Sequence, residues 1–169
     1  MSSLDLSRLS AGDAEVALRS FGRRYRAELQ PVGDDDRIDE LAARLGPDGE
    51  SALGVVSDVT RTLGLLASEI HRTLTVDEPV LHPAVADASA RRWDVPPPES
   101  VDEALVLLDH ELDDLLRIMG EAGNTDDWTR TGTVAGGGTR SALDLLKEAV
   151  RVGSDGVDRV RGVLASVRG

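Results

Sequence analysis

The stretch from Ser141 to Val167 constrains the fold more than any other part of the chain. Ala142, Leu146, Ala149, Val150, Gly153, Val157, Val160, Leu164 and Val167 recur every three or four residues along it. At about 100° per residue these positions form one continuous stripe, while Asp144, Glu148, Arg151, Asp155 and Asp158 fall opposite. A helix this long with a single apolar face must lay that face on partners of similar length. The sequence supplies three.

The first partner opens at Ser10–Asp13, which reads as a capping box. Ala14, Ala17, Leu18, Phe21, Tyr25 and Leu29 then predict a helix near 13–30, ended by Pro31 and Gly33. The acidic run Asp34–Asp36 with Asp39 and Glu40 lacks the alternating ligands and central glycine of a calcium loop. It reads as a solvated connector or a short helix through Ile38, Leu41 and Leu45. After a turn at Gly46-Pro47-Asp48-Gly49, a second long helix is predicted near 51–75 on the stripe Ala52, Val55, Val56, Val59, Leu63, Leu66 and Ile70. Asp58, Thr62 and Glu69 lie on one flank of that stripe, and His71 lies about 120° round on the other.

Thr75 to Pro79 breaks this helix, and residues 80–99 are proline-rich and predicted to be irregular. A crossover of that length suits a bundle whose flanking helices are not hairpin neighbours. Ser100–Glu103 is a second capping box and opens a helix near 100–119, with Val101, Leu105, Leu108, Leu112, Leu115 and Met119 inward and His110 outward. Residues 120–140 read as a glycine-rich loop. Its triple glycine, Gly136–Gly138, is no phosphate loop, because no Gly-Lys-Ser/Thr follows and no strand is predicted before it. The expected fold is therefore all-α: one domain over residues 1–169, a four-helix bundle with a long crossover between its second and third helices. Residues 1–12 and 80–99 are its irregular parts. The chain contains no Glu-x-x-His pair, which excludes a ferritin-like di-iron bundle.

Composition narrows the function. Hydrophobic residues make up 40% and aromatics only 2%, so the core must be aliphatic. The absence of cysteine removes disulfides, zinc–thiolate sites and thiol nucleophiles, and suits a reducing compartment. No apolar run approaches the roughly 20 residues of a membrane span, and the N-terminus lacks the features of a signal peptide. The expected location is the cytoplasm, with no membrane partner. Thirty-one acidic residues against nineteen basic give a net charge of −12, which repels a phosphate backbone. Arg19, Arg23, Arg24 and Arg26 read as a solvated helix face, so nucleic acid is not an expected partner. No Gly-x-Ser-x-Gly elbow is present.

Several stretches, taken in order, resemble the DinB-like bundles, a family that includes the N-terminal domain of mycothiol-dependent maleylpyruvate isomerases. Asp13 to Arg26 resembles their first helix. Ser51-Ala-Leu53, running to Thr75-Val-Asp-Glu-Pro79, resembles the second helix and its exit. Asp127-Trp-Thr-Arg130 resembles the loop before the last helix, and Ala142-Leu-Asp-Leu-Leu146 through Val160 resembles that helix. The resemblance implies a divalent metal, nickel or zinc, held by a histidine early in the second helix and a His-x-x-x-His or carboxylate-x-x-x-His pair in the last. Such a metal lowers a thiol's pKa and makes it a nucleophile.

This chain departs from that pattern at every ligand. The second-helix histidine falls on Asp58. The last-helix pair falls on Val152 and Gly156, or on Arg151 and Asp155 if the match is shifted by one. Val and Gly offer no donor atom, and Arg151 adds a positive charge. His71, His82 and His110 are placed too badly to substitute.

The resulting expectation is a bundle that has lost its metal triad and serves as a non-catalytic small-molecule-binding or structural protein. The alternative is a divergent metal- and thiol-dependent, mycothiol-type transferase or isomerase. The vestigial groove should bring Asp58 of the second helix opposite the Val152–Gly156 turn of the last, near the loop carrying Trp128 and Arg130. Asp58 is expected to pair with Arg151 or Arg61. Leu18, Leu107 and Leu116, at the edges of their stripes, suggest a homodimer.

Overall fold

Side-chain caps set where the long helices begin. In the computed structural model, which describes residues 5–30, 37–123 and 126–169, α1 spans Ala11–Glu28. Ser10 and Asp13 form the predicted capping box at its start, each side chain taking the other's backbone N–H. Pro31, Gly33 and Asp34–Asp36, read as the end of this helix and an acidic connector, lie outside the described residues. The short α2 covers Ile38–Ala43, and Leu45 beyond it is exposed. α3 runs Ala52–Thr75, with the Ser51 hydroxyl accepting the Gly54 N–H.

β1, Val80–Leu81, follows in the crossover, with two 3-10 turns at Pro83–Val85 and Ala88–Ala90. α4, Val101–Ala122, outruns its predicted end by nearly a turn and stops at Gly123, whose φ of 63° suits only glycine well. Its box is half formed. Ser100 accepts the Glu103 N–H, but the Glu103 carboxylate takes the N–H of Glu99 at 3.3 Å instead of that of Ser100. β2 and β3 are Thr131–Val134 and Thr139–Ser141, and α5 covers Ala142–Arg168 behind a complete Ser141–Asp144 box.

The molecule is mostly helical. α1 and α3 each pack against both α4 and α5, so α5 does lay its stripe on long partners. One apolar cluster joins them, and every position of the α3 and α4 stripes predicted from sequence is buried in it. So is Leu18, with 1% of its surface exposed, so it is a core residue of α1 and offers nothing to a second copy. Leu107 is exposed, and Leu116 packs partly buried against the core.

Two expectations need correction. Residues 80–99 are not wholly irregular, and residues 120–140 are not simply a loop, because β1 pairs parallel with β2 and β2 antiparallel with β3. A strand therefore does precede the triple glycine. The three glycines form the hairpin turn, all at positive φ, and the Val134 N–H donates to Gly138 O at 2.9 Å. These strands are two to four residues long, too short for their alternation to stand out in sequence. What fixes them is a close approach: Leu81 packs so tightly over Gly132 that a Cβ there would stand 2.7 Å from Leu81 Cγ. Among the described residues no helix is long and apolar enough to cross a membrane.

Candidate functional site

The flank of α3 that carries Asp58, Thr62 and Glu69 organises the crossover. Threonine hydroxyls on α3 bond back to carbonyls four residues earlier, which lets them be buried without an unmet polar group. Thr62 Oγ1 donates to Asp58 O at 2.8 Å and accepts Trp93 Nε1–H at 3.3 Å, seating the indole on the helix. Glu69, 5% exposed, accepts the His82 backbone N–H at 3.1 Å and pairs with Arg72. The crossover is thereby tied to α3 at both ends.

Between α3 and α5 this leaves a cleft of about 370 Å³. Asp58, Val59 and Thr62 form one wall, and Arg151, Val152, Asp155 and Arg159 form the other. Ala88, Arg91 and Trp93 of the crossover close its third side. The cleft brings together four of the six site residues expected from sequence: Asp58, Arg151, Val152 and Asp155. The Arg151–Asp155 register of the resemblance lies wholly in the cleft, and of the Val152–Gly156 register only Val152 does.

Gly156 and Trp128 are not part of it. Gly156 is buried beneath α1, where a Cβ would lie 2.2 Å from Tyr25 Oη and 2.5 Å from Val59 Cγ2. A phenol from α1 fills the space into which a side chain at this position would project. Its hydroxyl donates to Gly153 O at 2.8 Å, and burial pushes the Tyr25 pKa upward, so the group stays a neutral donor. Trp128, buried, donates Nε1–H to Gly123 O. Arg130 caps the far end of α3 through Thr73 O at 3.2 Å and Asp77 at 2.9 Å. Thr73 is fifteen positions beyond Asp58, roughly 22 Å along the helix. The expected neighbourhood of Asp58, Trp128 and Arg130 does not form. Trp93 and Arg91, which sequence reasoning passed over, stand there instead.

Charge runs along the α5 wall as a linked chain. Arg91, with 10% of its side chain exposed, donates to Ala84 O at 2.8 Å and to Glu148 Oε1 at 2.7 Å. Arg151 grips both oxygens of the same Glu148 and reaches Asp155 at 2.9 Å. Burial alone would raise the Glu148 pKa, but hydrogen bonds from Arg151 and Arg91 outweigh it and hold the carboxyl below its usual range. Arg159 pairs with Glu50. Asp58 makes neither of the pairs expected for it, and among the described residues its carboxylate has no ion pair. Removal from water behind the cleft walls raises its pKa, with Arg159 working against that shift and Glu50 with it.

The residues present do not fit a metal. Among the described residues no group of three or more His, Cys, Asp or Glu side chains is placed to hold one. His71, His82 and His110 are all exposed. Guanidiniums from Arg91, Arg151 and Arg159 also outnumber the two carboxylates of the lining, Asp58 and Asp155. No protein-family model matches this chain, and no curated protein and no solved structure matches it.

Proposed function

We propose that this chain is a DinB-like four-helix bundle without a metal triad, a non-catalytic protein that binds a small organic anion in the α3–α5 cleft. The order of the four long helices, their mutual packing and the long α3-to-α4 crossover support the family reading. The observation that carries the ligand reading is the sign of the cleft. In a chain of net charge −12, three arginines converge on a space lined by two acids and an indole face, with Glu148 and Glu50 holding the guanidiniums from beside it. Arg151 and Arg159 keep more than a third of their side chains open to solvent, so an incoming carboxylate or phosphate can recruit them bidentately. Trp93, Val59 and Val152 supply an apolar surface for the body of the ligand.

Protein purified without a histidine tag should carry no stoichiometric nickel or zinc by elemental analysis. A panel of small aromatic carboxylates and phosphates should include members that raise the melting temperature in proportion to the logarithm of their concentration. Arg151→Ala should remove that shift. A stoichiometric transition metal, or a thermal shift indifferent to Arg151→Ala, would overturn the reading. A homodimer through α4, where Val106 and Leu107 are exposed side by side, is a second reading. Light scattering at a mass of 18.0 kDa at every concentration would exclude it.

A further inference from the structure

The other face of α3 borders a larger cavity, about 600 Å³, between α3, α4 and the crossover. Its roof is Trp93 with the proline run 96–98, and Leu107 adds an apolar floor from α4. Prolines hold a roof of this kind with little conformational freedom to lose when a ligand enters. The charge here is opposite to that of the cleft. Glu99, Glu103 and Glu111 line the cavity against the single cation Arg61.

Glu111 is the distinctive group. It is half-buried and lies against the α3 backbone at Gly64, where a Cβ would stand 2.9 Å from its Oε2. Among the described residues its carboxylate has neither hydrogen bond nor ion pair. Its oxygens stay open to the cavity, so an incoming cation can reach them without displacing a protein partner. Desolvation raises its pKa, Asp114 adds to the shift, and His110 and Arg61 oppose it. The chain thus holds an aromatic face, a rigid apolar roof and a carboxylate with no protein partner among the described residues around one space of ligand size.

We infer that this α3–α4 cavity is a second binding site, one that takes a small organic cation, an ammonium group on an apolar body. The ammonium lies among Glu111, Glu103 and Glu99. The apolar body packs under the prolines and on Leu107, and the face of Trp93 adds a cation–π contact. The site is separate from the cleft: Glu111 lines this cavity and not the other, while Asp155 lines the cleft and not this one. Trp93 is the wall they share.

Isothermal titration of the whole chain with benzyltrimethylammonium, in buffer of low ionic strength, tests this. One saturable site is expected, weakened by added salt, with benzyl alcohol of similar size failing to bind at the same concentrations. Glu111→Gln and Glu103→Gln should each lower the affinity about tenfold, the equivalent of roughly 1.4 kcal/mol. Glu121→Gln makes the same charge change on the exposed surface of α4 and should leave the affinity intact. Equal weakening by Glu121→Gln would reduce the effect to general attraction by an acidic protein and overturn the site. So would binding of benzyl alcohol as tight as that of the cation, absence of saturation, or an affinity lost in Asp155→Asn but kept in Glu111→Gln.

Discussion

Val152 and Gly156 are one turn apart on α5, yet they belong to opposite kinds of environment. Val152 lines an open, arginine-bearing cleft, whereas Gly156 is sealed under the Tyr25 phenol and against Val59. Gly153, between them, is closed in the same way by Phe21, whose ring would stand 2.4 Å from a Cβ there. The contrast comes from what faces each turn. α1 carries the chain's one Phe and one Tyr and presses them onto α5 at two glycines, while the crossover, anchored by polar groups, stands off from α5 and leaves space. A helix face therefore becomes core or site according to the size of its own residues and the rigidity of what covers them.

The largest expected effect breaks the sealed side. Gly156→Ala places a methyl group within 2.2 Å of Tyr25 Oη and displaces a buried hydrogen bond. Overpacking of this kind, less the helix propensity gained, predicts a loss of about 2–3 kcal/mol in urea unfolding. The same substitution at Gly162, which has open space around it on α5, should instead stabilise by up to about 1 kcal/mol. If both variants shift stability in the same direction, the sealed turn is not sealed.

On the open side, Arg91→Ala removes the guanidinium that fastens the crossover to Glu148 and to the carbonyl of the buried Ala84. A loss of about 1–2 kcal/mol is expected, and Arg91→Lys should not restore it, because one ammonium does not reproduce the fork of contacts. Glu148→Gln sharpens the same point through pH. Since the folded-state pKa of Glu148 lies below its unfolded value, its contribution is present above about pH 4.3 and is lost as pH falls through the folded pKa. The deficit of Glu148→Gln relative to the natural chain should accordingly be seen in melting curves at pH 7 and shrink toward pH 3.

Tyr25→Phe removes one buried hydrogen bond and keeps the ring, for an expected loss of about 1 kcal/mol. Gly156→Ala should then be less damaging on the Phe background than on the natural one, since the oxygen it strikes is gone. Asp58→Asn carries the smallest effect, within about 0.5 kcal/mol, as befits an exposed position. Its sign is informative. The folded-state pKa of Asp58 is raised, so the folded chain binds the extra proton and stability falls as pH rises through that window. Asp58→Asn removes this dependence and should be neutral to slightly stabilising at pH 7, with the gain gone below pH ~3.9.

The sequence by itself determined the helices, because a helix is a local object: period, cap and terminator all lie within a few residues. Ser10–Asp13 was legible as a box and Ser100–Glu103 as the start of α4, though its box is only half formed, and the apolar stripes of α3 and α4 marked their buried faces position by position. It also placed Asp58 and Val152 on the flanks of their stripes, since flank positions follow from 100° of turn per residue.

Only the tertiary structure decided the rest. Whether Gly156 opens a groove or closes one depends on Tyr25, 131 positions away in sequence and invisible to any local pattern. The small sheet depends on pairing Val80 with Thr133 across fifty residues, which strands this short cannot announce by alternation. Trp93 and Arg91 became site residues through single long-range hydrogen bonds to Thr62 and Glu148. Helical periodicity records which way a side chain leaves its own axis, but the partner it meets is fixed only when the axes pack.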